Sequence, residues 1–135
     1  MKKFLADADS GVRHWGAMGA LMRGAPAVAA LKSELTAALA DASPSVRIPA
    51  AEALARHGDA DLDRAFAALR ECADPTNTSA YAATAALNTI DELGAKATSL
   101  LSFIRTLPTS DPHATARGNE YVARLKAYIL AKPVL

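Results

Sequence analysis

The sequence predicts an all-α protein, a short α-solenoid of about three helix pairs with a closing helix at its C-terminal end. Three observations carry that expectation. Apolar residues make up 51% of the 135 positions and aromatics only 5%, so the apolar content is mostly Ala and Leu, both good helix formers. No stretch alternates apolar and polar residues with period two, as a half-buried strand would. One phrase also recurs. Asp7-Ala-Asp-Ser-Gly-Val-Arg13, running on to Gly24, returns 34 residues later as Asp41-Ala-Ser-Pro-Ser-Val-Arg47, running on to Gly58. A weaker copy starts 33 residues further on at Asp74, with Leu87 answering Leu54. Antiparallel helix pairs at this period cannot bury their apolar faces alone, whereas stacked neighbours can. The whole chain, 1–135, is expected to form one such domain.

Each element follows from local chemistry. Residues 1–6 resemble the last turn of a helix. Asp9 caps a first helix over 10–23, which Gly24 stops. Pro26 opens a second, with Val28, Leu31, Leu35, Ala38 and Leu39 as its buried stripe. Ser43 is expected to cap the third helix through its side chain, ahead of Pro44. Val46, Ala50, Ala53, Leu54 and His57 then share one face, and Gly58 supplies a left-handed stop. Pro49 removes one donor inside this helix and should bend or tighten it. A fourth helix is expected over 61–73, with Leu62, Phe66, Leu69 and Cys72 or Ala73 inward. The Asp74-Pro75-Thr76-Asn77-Thr78 turn leads into a fifth that ends at Leu93 before Gly94. A sixth is expected over 96–107, burying Leu100, Leu101, Phe103 or Ile104, and Leu107. After a Pro- and Gly-containing loop over 108–118, a last helix over 119–131 puts Tyr121, Val122, Leu125, Tyr128 and Ile129 on one side.

Charge and motif content narrow the function. With 15 basic and 14 acidic residues the net charge is +1, which argues against a polyanion binder. Cys72 is the only cysteine, so neither a disulfide framework nor a Cys-rich zinc site is available. His14, His57 and His113 lack metal-ligand spacing. His57 is expected to interact with the helix dipole at the end of the third helix. Asp59-Ala-Asp61-Leu-Asp63 lacks the Gly and Glu of a calcium loop, and is expected to serve capping and the dipole. No phosphate loop, nucleophile elbow or catalytic triad spacing occurs. The expectation is a protein that is not an enzyme, with no cofactor and no metal. The apolar run at the N-terminus is too short for a signal peptide or a membrane span, so a cytoplasmic location is expected.

Two sets of residues stand out. Asp7 and Asp41 recur with Arg13 and Arg47. The two arginines could form an anion-binding pair, but the joint recurrence favours a ladder in which each Arg bonds a turn carboxylate or carbonyl of its neighbour. Trp15, Met18 and Met22 fall on one face of the first helix at spacings of three and seven. The equivalent positions are Pro49, Glu52 and Arg56 in the second copy, and Ala82, Ala85 and Thr89 in the third. Their polarity implies that this face is not core in the later copies. An apolar face in the first copy then calls for a cover, either residues 1–6 or the chain terminus folding over it, or a partner or second copy docking there. The candidate contact residues are therefore Trp15, Met18 and Met22, extended by Ile48, Glu52, Arg56 and Tyr81.

The pattern Asp-x-x-x-x-Val-Arg followed by Ala-Ala-x-Ala-Leu, clearest from Asp41 to Leu54, resembles the HEAT and HEAT-like repeats. The first copy keeps Asp7, Val12, Arg13 and Ala17. The third keeps Asp74, Ala83 and Leu87 but has Ser79-Ala80 in place of Val-Arg. A narrower resemblance runs through Val12-Arg13-His14-Trp15-Gly16-Ala17, Asp41 to Arg47, and Tyr81 to Leu87 with Asn88 to Asp91. It is similar to the helical segment that follows the catalytic domain in some bacterial sulfatases of the sulfoglucosamine-sulfohydrolase type. The catalytic Cys or Ser followed by x-Pro-x-Arg is missing, since Cys72 stands in Cys-Ala-Asp-Pro, so the resemblance carries a scaffold and no chemistry. It implies a non-catalytic scaffold or protein-interaction module, or a detached docking domain of such an enzyme, that binds a protein partner or a second copy through its first repeat. HEAT-like DNA glycosylases also resemble this architecture. A nucleic-acid-binding reading would need Arg13, Arg23, Arg47 and Arg56 to converge on one face.

Overall fold

Helix α2, Ser10–Arg23, begins where Asp9 accepts the Gly11 and Val12 amides through one carboxylate oxygen, at 2.7 and 3.1 Å. It ends at Gly24, whose φ of 74° is one that L side chains rarely adopt. The structure, a computed structural model, describes residues 1–58 and 62–133, and every regular element among them is a helix. The chain divides into two compact units, Met1–Ala68 and Leu69–Leu135.

In the first unit, the one-turn helix α1, Lys2–Leu5, lies against α2. The glycines of α2 make this approach possible. A Cβ on Gly16 would stand 3.0 Å from the Leu5 backbone nitrogen, and one on Gly19 would stand 3.1 Å from the Met1 sulfur. Lys2 also reaches Glu34 at 2.5 Å. The second helix of the sequence reading is split into α3, Ala25–Ala30, and α4, Lys32–Ala38. At Leu31 the backbone leaves the helical range, with φ −114° and ψ 16°, although its N–H still bonds back to Ala27 and Val28. Val28, Leu31, Leu35 and Ala38 are buried as expected, and Leu39 is half-buried.

Helix α5, Pro44–His57, is buried on more than the one expected stripe: Ile48, Pro49, Ala51 and Ala55 are buried as well. Its caps differ from the sequence reading. Ser43 makes no side-chain cap bond, because its hydroxyl pairs with that of Ser45 at 2.8 Å. The turn is held instead by Asp41, which accepts the Ser43 amide at 2.9 Å. Gly58 is not left-handed. Its φ is −106°, and it is required by proximity, since a Cβ there would stand 2.7 Å from the Leu54 carbonyl oxygen.

Helices α2 and α5 run side by side in the same direction. Their starts are tied by Arg13 and Asp41. At their ends, a Cβ on Gly24 would lie 3.9 Å from His57 Cε1. The return path is α3 and α4, both of which pack on α5.

Helix α6, Leu62–Ala73, contains the division between the units; Phe66, Leu69, Cys72 and Ala73 are buried and Leu62 is half-buried. Asp59 and Asp61 lie outside the described residues. In the second unit, α7, Ala80–Leu93, starts at the Ser79 cap and ends at Gly94, with φ 56°. A 3-10 helix, Gly94–Leu100, then widens into the short α8, Leu101–Thr106, where one continuous α-helix is expected from the sequence. Leu100, Ile104 and Leu107 are buried, while Leu101 and Phe103 are half-buried. Helix α9, Ala116–Ala131, starts three residues earlier than the sequence reading, at the Thr115 cap. It buries Val122 and Ile129 but leaves Tyr121 and Tyr128 exposed.

Helix α9 runs parallel to α7. At one end a Cβ on Gly118 would be 3.7 Å from that of Ala80, and at the other Lys132 Nζ lies 2.5 Å from Asp91. Lys126 of α9 donates to the carbonyls of Arg105 and Leu107 at 2.9 and 2.6 Å, which stops α8 with a cation.

Candidate interaction surface

Four aspartates shape the turns before the long helices. Asp7, Asp41, Asp74 and Asp111 each accept the amide two residues on, at 2.8 to 2.9 Å. The fourth was not visible as a repeat. Asp111 is buried in the loop over 108–118, and its other oxygen accepts the Ala80 amide at the start of α7, at 3.2 Å. Asn119 closes the loop by accepting the Asp111 amide and donating to its carbonyl. The amide of His113, together with that of Ala80, holds the Asp111 carboxyl below the usual carboxylate range. The shared Asp-Pro of 74–75 and 111–112 marks the correspondence. Arg117 stands six residues after Asp111, as Arg47 does after Asp41, and the correspondence is masked by Glu120-Tyr121, which stand where Ala50-Ala51 continue the second copy.

Arg13 clasps Asp41 through two bonds, Nε to Oδ2 at 2.6 Å and Nη2 to Oδ1 at 3.0 Å. Its remaining nitrogen, Nη1, donates to the carbonyls of Asp7 and Ala8, both at 2.9 Å. Asp7 therefore meets the arginine through its backbone, while its carboxylate turns to Asp9. The Arg13 guanidinium, with help from the Ser43 amide and the charge of half-buried Arg47, holds the Asp41 carboxyl well below its ordinary value.

Above this clasp lie the α2 candidates. Trp15 is 66% exposed and Met22 78% exposed, whereas Met18 is half-buried. Helix α1 covers the glycine side of α2 and leaves these two residues open. The Trp15 indole meets the His14 ring edge-on, with centroids 5.4 Å apart at 76°. His14 is itself fixed, because Nδ1 lies 2.8 Å from the Ser45 carbonyl oxygen. A carbonyl can only accept, so Nδ1 carries the proton. That carbonyl is the one left without its helical partner by Pro49, four residues on. The proline therefore frees an acceptor on α5, and α2 uses it.

The other candidates separate. Ile48 is buried and offers no surface. The face expected to be open in the later copies is largely closed, since Pro49 and Thr89 are buried and Ala82 is half-buried. Thr89 is buried despite its polarity, because a hydroxyl inside a helix can bond a carbonyl of the preceding turn. Glu52 and Arg56 are half-buried and paired with each other at 2.8 Å. Tyr81 is 80% exposed but belongs to the second unit, on α7.

Among the described residues, no three His, Cys, Asp or Glu side chains converge on a metal position, and no helix is long and apolar enough to cross a membrane. No family model, curated protein or solved structure matches the chain.

Proposed function

We propose that the protein is a non-catalytic interaction or scaffold module built from HEAT-like repeats, and that the outward face of α2 is its contact surface. The observation that carries this reading is the exposure of Trp15 and Met22 beside buried Gly16, Ala17 and Ala20. Large apolar side chains two helical turns apart, on a helix whose other side is packed, form a patch that water solvates poorly. The parallel pairs α2 with α5 and α7 with α9, each helix preceded by an Asp turn, support the repeat reading. The partner proposed for this face is a second copy of the chain. One apolar helix face can pair with itself about a two-fold axis, each Trp15 covering the Met22 end of its partner.

Trp15 is the only tryptophan, so its fluorescence reports on this face alone. Dilution should shift its emission to the red as the copies separate. Emission that stays constant over the whole concentration range contradicts the reading. A nucleic-acid reading is disfavoured because Arg13 is committed to Asp41 and Arg56 to Glu52. A salt titration that reveals strong oligonucleotide binding would restore it.

A further inference from the structure

The second unit carries a surface of different chemistry. On α9, Arg117, Tyr121, Arg124 and Tyr128 follow one another at spacings of four, three and four, so they form a single stripe, and all four are exposed. The stripe borders α7, and a cleft of about 310 Å³ lies between them, lined by Thr84, Asn88, Tyr121, Arg124, Leu125 and Tyr128. A second cleft of about 220 Å³ continues from it past Glu120 to Arg117. At 1.5 Å per helical residue the stripe is roughly 16 Å long, about the span of five residues of extended chain.

We propose that this α7–α9 groove binds an extended acidic peptide segment. The Arg117 guanidinium offers a planar fork to a carboxylate, and Arg124, held by Glu120 only in a solvent-exposed i,i+4 pair of small worth, can exchange that partner for a carboxylate of the peptide. The tyrosines supply rigid flat surface at small entropic cost. Asn88 lines the cleft with a side-chain amide, and Thr84, whose hydroxyl donates to the Ala80 carbonyl at 2.7 Å, keeps an acceptor there for the N–H of a backbone that has no helix or sheet of its own. A nucleic acid fits less well. The other cations of this helix are already engaged, Lys126 by two carbonyls and Lys132 by Asp91, which leaves too few for a phosphate backbone. The proposal rests on the interaction-module reading, but it uses a face remote in sequence from Trp15, so the two can fail separately.

The test is panning of a random dodecapeptide library on the full chain, followed by anisotropy titration of the enriched peptides labelled with fluorescein. Enriched sequences should be rich in Asp and Glu. Binding should weaken about tenfold or more in Arg117→Glu and Arg124→Glu, and also in Tyr121→Ala, while Trp15→Ala binds as the wild type does. All three groove residues are exposed, so circular dichroism should confirm that each variant folds. The proposal is overturned by enriched peptides with no acidic bias, by peptides that bind the arginine variants as tightly as the wild type, or by a labelled twelve-residue oligothymidine that binds this groove in preference to the peptides. Peptides lost only in Trp15→Ala would instead place peptide binding on α2.

Discussion

His14 completes a hydrogen bond that Pro49 cannot make. Pro49 has no N–H to offer the Ser45 carbonyl one turn back, and His14 Nδ1 reaches that oxygen from α2 at 2.8 Å. His14→Ala should therefore cost about 1 kcal/mol in the wild type. In a Pro49→Ala background, where residue 49 can bond Ser45 itself, the same change should cost almost nothing. Urea denaturation of the four proteins gives the coupling directly, and additive effects would mean the two residues act independently.

The Arg13–Asp41 clasp holds the start of α2 to the turn before α5. Arg13→Ala removes both carboxylate bonds and both carbonyl bonds, leaving a largely covered aspartate without its counter-charge. The Tm should fall by roughly 5 °C or more. Arg13→Lys keeps the charge but loses the fork, and should recover less than half of the loss. Thermal unfolding followed by circular dichroism measures both.

Acid should weaken the fold through Asp41 and Asp111. Both carboxyls sit lower in the folded chain than in the unfolded one, where an aspartate titrates near 3.9. Their contribution is complete above that unfolded value and is lost as the pH falls through the folded ones. Stability from urea titrations should therefore be nearly flat from pH 7 down to about 5 and decline below about 4. In Asp111→Asn the decline should be shallower and the neutral-pH stability lower. A decline of unchanged steepness would show that Asp111 does not carry the effect.

Two glycines should respond to alanine for different reasons. At Gly94, φ is 56° with ψ −126° and nothing stands within 4 Å of a new Cβ, so Gly94→Ala should cost about 1–3 kcal/mol of backbone strain. At Gly58 the backbone is ordinary, but the new Cβ would press on the Leu54 carbonyl, and Gly58→Ala should cost about 1–3 kcal/mol through displacement of that turn. Serine in place of alanine should behave alike at both sites. Equilibrium denaturation of the variants decides.

Helix starts and stops were legible where one side chain settles them. Asp9 and Gly24 bound α2 at the expected residues, because a carboxylate beside free amides and a glycine at positive φ have few competitors. Ser43 was not legible, since the adjacent Asp41 and Ser45 both compete for the groups that a cap uses. The break at Leu31 has no breaker residue to announce it. The buried faces were legible where Leu or Val marked them. Ile48 and Thr89 were not, because an Ala-rich helix can be covered on several sides, and periodicity then ceases to distinguish inside from outside. The pairing of His14 with Ser45 depends on contact between helices more than thirty residues apart. Only the structure displays it.

The most direct measurement is the solution mass by sedimentation equilibrium, from low micromolar to millimolar concentration, for the wild type, Trp15→Ala and Met22→Glu. The monomer is 14.0 kDa. A self-associating α2 face predicts a wild-type mass that climbs toward twice this value, while both variants stay monomeric with unchanged helicity. A wild type that remains at the monomer mass throughout, or variants that associate as the wild type does, would contradict it.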